Sequence, residues 1–324
     1  MDPLTDLLDA PRARSAFLLR VTMTPPWSVR VQDRAPLTVV ALTAGTAWFV
    51  PDDGEPVPLA AGDVLLVRGP DPYVVADRVD RAPQAVIHPG QRCETPAGES
   101  LELPMRQGIR TWGNASDGTA AMLIGTYESV GQVGGRLLSA LPAYVVTRAA
   151  DWRSPLVGLL AAEIHGEGAG QASLLDRLLD ALVVAVVQHW SATTDAPTPA
   201  WLHGTDDPVA AEALALLHDQ PARPWTVATL ARQVGVSRAG LARRFVAAVG
   251  EPPMGYLTGW RMALAADLLT GGDAPVARVA REVGYTSPFT FSSAFKRHHG
   301  VSPLGFRRGQ RDVLRSGSHD ERSG

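Results

Sequence analysis

Hydrophobic residues follow two different spacings along this chain, and the spacing changes near its middle. From about Ser15 to Tyr127, apolar residues come in short runs that are separated by glycine, proline and aspartate. The runs are Leu37–Leu42, Thr46–Val50, Val64–Val67 and Tyr73–Val75. Short strands at such regular intervals are typical of a β-barrel or a β-sandwich. Beyond residue 150, apolar residues recur at three- and four-residue intervals, which predicts helices.

Two helices are predicted directly after the strands, at Trp152–Ile164 and Ser173–Trp190, separated by the glycine-rich segment Gly166–Gly170. The second helix carries a broad apolar stripe. Its members are Leu174, Leu175, Leu178, Leu182, Val183 and Val186. The stripe either packs on the strands or mediates a homodimer. Thr193–Pro199, rich in threonine, alanine and proline, is expected to be a linker.

The segment from Thr226 to Arg308 repeats one pattern. Leu230-Ala231-x-x-Val234-Gly235-Val236-Ser237 recurs as Val279-Ala280-x-x-Val283-Gly284-Tyr285-Thr286-Ser287. Each copy predicts two helices joined by a tight turn, in which the glycine adopts positive φ and the serine caps the second helix. Thr226 and Pro275 are expected to begin the first helices, and Pro288 suits the first helical position of the last one. The repeat therefore predicts a tandem pair of helix-turn-helix units, an arrangement that holds duplex DNA.

A helix between the two units, Met254–Leu269, is predicted from a proline start at residues 252–253 and a glycine stop at residues 271–272. Leu257, Trp260, Leu264 and Leu268 would form its single apolar face. As a rigid connector, this helix would place two recognition helices in successive major-groove segments, about 34 Å apart.

Charge is distributed unevenly along the chain. Residues 221–311 contain 13 arginines and lysines against four acidic residues, although the whole chain has a net charge of −3. A basic C-terminal region in an otherwise acidic protein favours contact with phosphates.

The C-terminal region resembles the DNA-binding domain of the AraC/XylS family of bacterial transcription regulators. The matching residues include Leu230-Ala231, Gly235, Ser237, Leu241, Arg243, Phe245, Gly250, Pro252, Tyr256-Leu257, Arg261-Met262, Ala265, Leu268-Leu269, Val279-Ala280, Gly284-Tyr285, Phe291, Phe295-Lys296, Gly300, Ser302-Pro303 and Phe306-Arg307. The strand-rich region resembles the cupin-type sensor domain that precedes this domain in the family. The expected fold is α+β, with a cupin-like barrel at residues 1–150, a helical linker at 151–200, tandem helix-turn-helix units at 201–311 and a disordered polar tail at 312–324.

The resemblance implies which residues face the DNA groove. They are Ala239, Ala242 and Arg243 in the first recognition helix and Pro288, Phe289, Thr290 and Ser293 in the second. Arg243 is expected to pair with guanine, whereas Arg238, Arg244, Lys296 and Arg297 are expected to contact phosphates. Ser287, which caps the second recognition helix, is also expected to contact the DNA. Individual arginines could instead be solvated surface charges. The small Ser293 and the apolar Pro288-Phe289 depart from the commoner family pattern, so hydrogen-bonded readout is not expected of the second unit and contact with a thymine methyl group is left. Phe245, Phe291 and Phe295 are assigned to the core.

Metal ligands of cupin enzymes are missing from the matching positions. Gly62–Tyr73 resembles the second cupin motif, with Tyr73 in place of its histidine, and no His-x-His occurs in the first strands. No metal or other cofactor is therefore expected, although the barrel could enclose a small molecule. His88 and Cys93 are either a metal or redox pair, or a loop histidine and a partly buried thiol.

These observations predict a sequence-specific transcription regulator that binds double-stranded promoter DNA and responds to a small molecule or stress at the barrel. RNA polymerase and a second copy of the chain are candidate partners. The alternatives are a cupin-type metal enzyme fused to a DNA-binding module and a regulator that senses oxidants through Cys93. The chain lacks a Gly-x-Ser-x-Gly elbow and a phosphate-binding loop, so no enzyme activity is expected. One cysteine, an acidic start and no long apolar run predict a cytoplasmic protein without membrane contact.

Overall fold

The computed structural model describes residues 16–127, 135, 138–152, 154–194 and 207–309. Residues 16–127 and 138–194 belong to one compact unit, and residues 207–309 belong to the other. Most of the predicted linker and the whole predicted tail lie outside the described residues, as does the acidic start of the chain.

Two sheets that face each other form the first unit, as the short apolar runs predict. The first has the order β10-β11-β1-β12-β3-β6-β13, and its strands are β1 (Ala16–Met23), β3 (Leu37–Ala44), β6 (Val64–Arg68), β10 (Arg106–Gly108), β11 (Thr111–Gly113), β12 (Ala120–Tyr127) and β13 (Tyr144–Thr147). The second has the order β5-β4-β7-β2-β8-β9, and its strands are β2 (Ser28–Val31), β4 (Thr46–Pro51), β5 (Val57–Ala60), β7 (Tyr73–Ala76), β8 (Ala85–Ile87) and β9 (Cys93–Glu94). A short 3-10 helix, Pro89–Gln91, joins β8 to β9.

Aromatic side chains fill one end of the space between the sheets. Phe49 lies 5.4 Å from Tyr73 and 5.1 Å from Tyr144, measured between ring centroids. Leu42 and Leu65 are buried in the same hydrophobic cluster. Rings and branched side chains from both sheets therefore pack against one another as a core.

Helices α1 (Leu156–Glu163) and α2 (Gln171–Thr193) belong to the barrel unit. Within the predicted stripe, Leu175, Leu182, Val183 and Val186 are buried, so this face packs inside its own unit. A β-carbon added to Gly125 on β12 would lie 2.6 Å from a methyl carbon of Leu179, which shows how close the strand and α2 approach. The stripe thus follows the packing interpretation, while Leu174 is 42% exposed.

The second unit is helical. Its helices are α3 (Pro208–Asp219), α4 (Val227–Gln233), α5 (Arg238–Val249), α6 (Pro253–Thr270), α7 (Val276–Glu282) and α8 (Pro288–His299), and residues 303–309 are also helical. Helix α3 has no counterpart among the helices predicted from the sequence. Asp207 caps it by accepting from the backbone N–H groups of Val209 and Ala210, and Pro208 follows the cap. An aspartate-proline pair before an apolar segment was the available signal.

The predicted turn chemistry is confirmed in both helix-turn-helix units. Gly235 has φ 70° and Gly284 has φ 84°, in the left-handed region. The Ser237 hydroxyl accepts from the Gly240 N–H at 3.0 Å, and Ser287 accepts from the Thr290 N–H at 3.4 Å. Thr226 forms a capping box at the start of α4. Pro275 occupies the N-cap position of α7 and so lies one residue earlier than predicted.

Helix α6 corrects the prediction of a single apolar face. Leu257 and Trp260 are buried, but Leu264 is half-buried and Leu268 is 37% exposed. The buried residues extend around the helix instead, and they are Pro253, Tyr256, Leu257, Trp260, Met262, Ala263, Ala265, Ala266 and Leu269. A helix that is apolar on most sides is enclosed by its neighbours. Here α8 packs on α6, and α3 does so too through the stacking of His218 on Trp260, with ring centroids 4.2 Å apart.

Candidate nucleic-acid interface and barrel cavity

Helix α5 presents a polar face to solvent because its apolar side chains point inward. Leu241 and Phe245 are fully buried, as predicted for Phe245. Arg238, Ala239 and Arg243 are exposed on the other side of the helix, and Ala242 is half-buried at its margin. The structure therefore brings the predicted groove-facing residues of the first unit onto one accessible surface.

Helix α8 repeats this arrangement. Phe291 and Phe295 are fully buried, in agreement with their assignment to the core. The exposed residues are Pro288, Phe289, Thr290, Ser293, Lys296 and Arg297, and the capping Ser287 is half-buried. Phe289 is 85% exposed, which is unusual for a large aromatic side chain in a folded domain. The predicted residues of the second unit thus also share one surface.

Arg244 differs from the other predicted phosphate ligands. Its Nε donates to Asp207 Oδ2 at 2.6 Å, and this contact holds the pKa of Asp207 below its ordinary value. Arg244 is half-buried and ties α5 to the capped end of α3. The first role of Arg244 is therefore to join α5 to α3 within the helical unit. Contact with phosphate would have to come from its remaining N–H groups.

Other basic residues of the helical unit also hold its backbone in place. Arg261 donates to the carbonyls of Pro221 and Arg223 at 2.7 and 2.8 Å, and burial lowers the pKa of its guanidinium. Arg307 donates to the carbonyls of Leu269 and Ala274. The high positive charge of this region is thus divided between structural arginines and exposed ones. Arg238, Arg243 and Lys296 are in the exposed group, and their side chains make no ion pair within the described part of the chain.

A cavity of about 360 Å³ lies between the two sheets. Alternate residues of β1 line it, and they become more buried along the strand, from Phe17 at 39% exposed to Val21 at 3% and Met23 at 1%. The cavity therefore opens near Phe17 and closes near Met23. Its volume is at the small end of the range of ligand pockets, roughly 300–1,000 Å³.

Polar groups are few on the cavity wall. Trp27 lies at the closed end, 2% exposed, and its indole Nε1 is buried without an acceptor among the residues that the structure describes. Tyr73, at the position where cupin enzymes have a histidine, also lines the cavity and is hydrogen-bonded to Thr38. Burial raises the pKa of Tyr73, so it remains a neutral hydroxyl.

His88 and Cys93 match the interpretation of a loop histidine and a buried thiol. Cys93 is 3% exposed, and burial raises its pKa to about 12. A thiol with such a pKa holds almost no reactive thiolate at neutral pH, which disfavours an oxidant sensor. His88 Nε2 lies 3.5 Å from Glu94 Oε2. No group of three or more histidine, cysteine or acidic side chains in the described ranges is arranged to hold a metal ion.

Two features of these sites escaped the sequence analysis. The cavity-facing residues of β1 alternate with outward-facing ones such as Arg20, and this alternation was a readable signal for the barrel interior. The buried indole of Trp27 was not readable, because its isolation from acceptors depends on the packing of both sheets. Among the helices that the structure describes, none is long and apolar enough to cross a membrane.

Comparisons with known proteins agree with this architecture. A family model described as "Cupin" matches residues 2–192, and one described as "Helix-turn-helix domain" matches residues 230–309. A putative AraC-like transcription regulator of Streptomyces antibioticus is 33% identical over 95% of this chain and 99% of its own length. The regulator AlkR of Acinetobacter baylyi is 27% identical over 95% of this chain and 99% of its own length.

Among solved structures, the DNA-binding domain of AdpA in complex with a target DNA is 32% identical, covers 33% of this chain and 96% of that chain, and has a TM-score of 0.32. The whole-length relative of Streptomyces antibioticus and the two matching models together identify the family. The chain is a member of the AraC-like transcription regulators, with a cupin domain followed by a helix-turn-helix domain.

Proposed function

We propose that this regulator reads one stretch of promoter DNA with two recognition helices, α5 and α8, in adjacent major-groove segments. The observation that carries the proposal is the equivalence of their exposed faces. Ala239 and Arg243 on α5 correspond to Phe289 and Ser293 on α8, and each pair is accessible while the opposite side of its helix is buried. Because α6 is buried between the two helix-turn-helix units, it fixes the distance between them.

The exposed side chains suit different tasks at the DNA surface. Arg243 lies near the middle of α5 and can form a bidentate contact with guanine. Phe289, at the start of α8, can pack against a thymine methyl group. Lys296 and Arg297 follow one turn or more later and are placed for phosphates. Arg238 begins α5, where the backbone N–H groups of the helix also attract phosphate.

Control by a small molecule in the barrel is the second part of the proposal. Strand β12 connects the cavity to α2. Met122 and Ile124 line the cavity, whereas Gly125 contacts Leu179 and Tyr127 donates from its hydroxyl to Asp180 at 3.1 Å. A ligand that displaces β12 would therefore displace α2, the last helix of the barrel unit.

Partners other than DNA remain predictions. A homodimer would double the DNA contact surface, but the buried part of the α2 stripe is engaged within its own unit, which leaves only residues such as Leu174 for that purpose. Contact with RNA polymerase is expected of a promoter-bound activator. Sedimentation of the full chain with and without operator DNA would show whether it forms a homodimer.

Operator selection from random duplexes with the full chain tests the central proposal. We expect a bipartite sequence whose halves lie about one helical turn apart, both protected on one face in a footprint. Changing Ala239 and Ser293 together to aspartate should abolish selective binding, because both carboxylates would enter the electronegative major groove.

Gly272→Asp provides the matched control for that experiment. This glycine is exposed in the same unit, and a β-carbon there would meet no atom within 4 Å. An equal loss of binding in the control would show that added negative charge, and not the position of the two faces, weakens the complex. A footprint limited to one half-site would contradict reading by both helices.

A further inference from the structure

The cavity of the barrel has a chemistry that restricts what can bind in it. Most of the surface of its wall is formed by aliphatic and aromatic side chains from both sheets, among them Leu19, Val21, Met23, Val75 and Ile124. Transfer of an apolar molecule from water to such a wall is favourable in proportion to the area buried. The main body of the occupant is therefore apolar.

Trp27, which lines the cavity, carries a buried hydrogen-bond donor. Trp27 Nε1 is buried and has no acceptor among the described residues, and an indole nitrogen can only donate. A buried donor without a partner is costly, and most such groups in native proteins are satisfied. An acceptor oxygen on a molecule inside the cavity would satisfy it.

Few charged residues line the cavity, and acidic residues outnumber basic ones among them. The lining includes Asp33, Glu102 and Arg106, and the last two are exposed. Asp33 is already bound by the Ala35 N–H and the Gln91 side-chain amide, both at 3.0 Å. Arg106 is the only basic residue on the described cavity wall, and it is exposed to solvent. A carboxylate buried against Trp27 Nε1 would therefore be desolvated beside a neutral donor.

We propose that the cavity binds an uncharged lipophilic carbonyl compound, whose oxygen accepts a hydrogen bond from Trp27 Nε1 while its hydrocarbon part extends along β1 toward Phe17. This inference rests on the proposed control of DNA binding by a molecule in the barrel, and it names the chemical class of that molecule. The carbonyl enters first, and the side chains at the open end surround the last carbon atoms.

Four probes with the same number of carbon atoms distinguish the need for a carbonyl group from the need for a hydrocarbon chain or a charge. Methyl hexyl ketone, octane, octanoate and octylamine are titrated into the full chain by calorimetry, without DNA. We expect the ketone to bind most tightly and octane about fivefold more weakly, the difference expected for one hydrogen bond. Octanoate and octylamine should show no saturable binding. Tightest binding by octanoate or by octylamine would overturn the proposal, as would equal affinity for ketone and octane.

Trp27→Phe removes the donor while keeping most of the ring. Its affinity for the ketone should fall about fivefold, and its affinity for octane should change by less than twofold. Trp260→Phe is the matched control, since this tryptophan of the helical unit also has a buried Nε1 without an acceptor among the described residues but does not line the cavity. An unchanged ketone affinity in Trp27→Phe, or an equal loss in Trp260→Phe, would contradict the assignment.

Infrared spectroscopy of the ketone bound to the unmodified protein keeps the test independent of variant folding. The carbonyl band should move to lower frequency than in octane solution, and an unshifted band would exclude the hydrogen bond. A gel shift with selected operator separates the two proposals. Ketone binding without any specific DNA binding would leave the cavity assignment intact and refute the proposed function, whereas specific DNA binding without ketone binding would refute only the cavity assignment.

Discussion

The two helix-turn-helix units share a scaffold and differ in what they present to DNA. Both have a glycine with positive φ, a serine cap and one buried phenylalanine at matching positions, Phe245 and Phe295. Their surfaces are unlike, because the first unit exposes Arg243 where the second exposes Ser293. Residues that fix the backbone are repeated, and residues free of packing constraints have diverged. Two copies of one fold can therefore read two different sequences.

The scaffold itself contains one asymmetry, at the turn glycines. A β-carbon on Gly284 would lie 2.6 Å from the carbonyl oxygen of Ala222, whereas one on Gly235 would meet nothing within 4 Å. Gly235→Ala should cost roughly 1–2 kcal/mol for left-handed backbone alone. Gly284→Ala should cost about 1–3 kcal/mol more from the added steric conflict. Urea unfolding of the full chain, followed by helical circular dichroism, measures the difference.

Gly284→Asn and Gly235→Asn provide the controls for this prediction. Asparagine tolerates left-handed backbone better than alanine, so it should recover part of the loss at residue 235. At residue 284 the steric conflict remains and little should be recovered. Equal destabilisation by alanine at both glycines would mean that the Ala222 carbonyl moves aside, and the two turns would then be energetically alike.

Arg243 and Ser293 test the difference between the reading surfaces. Arg243→Ala should weaken binding to the selected operator by about five- to 150-fold, the range for one bidentate contact with guanine. Binding to random DNA at the same salt concentration should fall only a few-fold, because just one charge is lost. Ser293→Ala should change either affinity by less than about twofold. Gel shifts measure all four values, and equal losses on both DNAs would rule out base reading by Arg243.

The sequence was sufficient to predict the elements that local chemistry decides. The turn glycines, the serine caps, the buried phenylalanines and the main strands all depend on residues near one another in the chain, and the structure confirms them. The single apolar face assigned to α6 was wrong, since a helix enclosed by neighbours has no such face. The pairing of Arg244 with Asp207 was also missed, because it joins residues 37 positions apart on two helices.

Phe289 offers a finer test of the second unit. Its side chain is 85% exposed, so Phe289→Ala should change the free energy of unfolding by no more than about 0.5 kcal/mol. Operator affinity should fall by about 1 kcal/mol, or roughly fivefold, if the ring packs on a thymine methyl group. Replacing that thymine by uracil should weaken the unmodified protein equally and leave Phe289→Ala unaffected. Leu304→Ala, which shortens another exposed apolar side chain of this unit, should leave affinity unchanged.

The smallest expected effect concerns the ion pair that only the first unit has, since Ala294 occupies the position in α8 that matches Arg244 in α5. Arg244 lowers the pKa of Asp207 below the ordinary 3.8, so this contact stabilises the folded state above about pH 4 and is lost as the pH falls through the lower, folded pKa. The Val209 and Ala210 N–H groups donate hydrogen bonds to the Asp207 carboxylate. Their hydrogen exchange, corrected for intrinsic rates, should accelerate in that acidic range. The Thr290 amide is bound to a serine hydroxyl that does not titrate, so it should stay protected as an internal control. Arg244→Gln should move the acceleration to higher pH, and an unchanged midpoint would show that the guanidinium contributes nothing to the cap of α3.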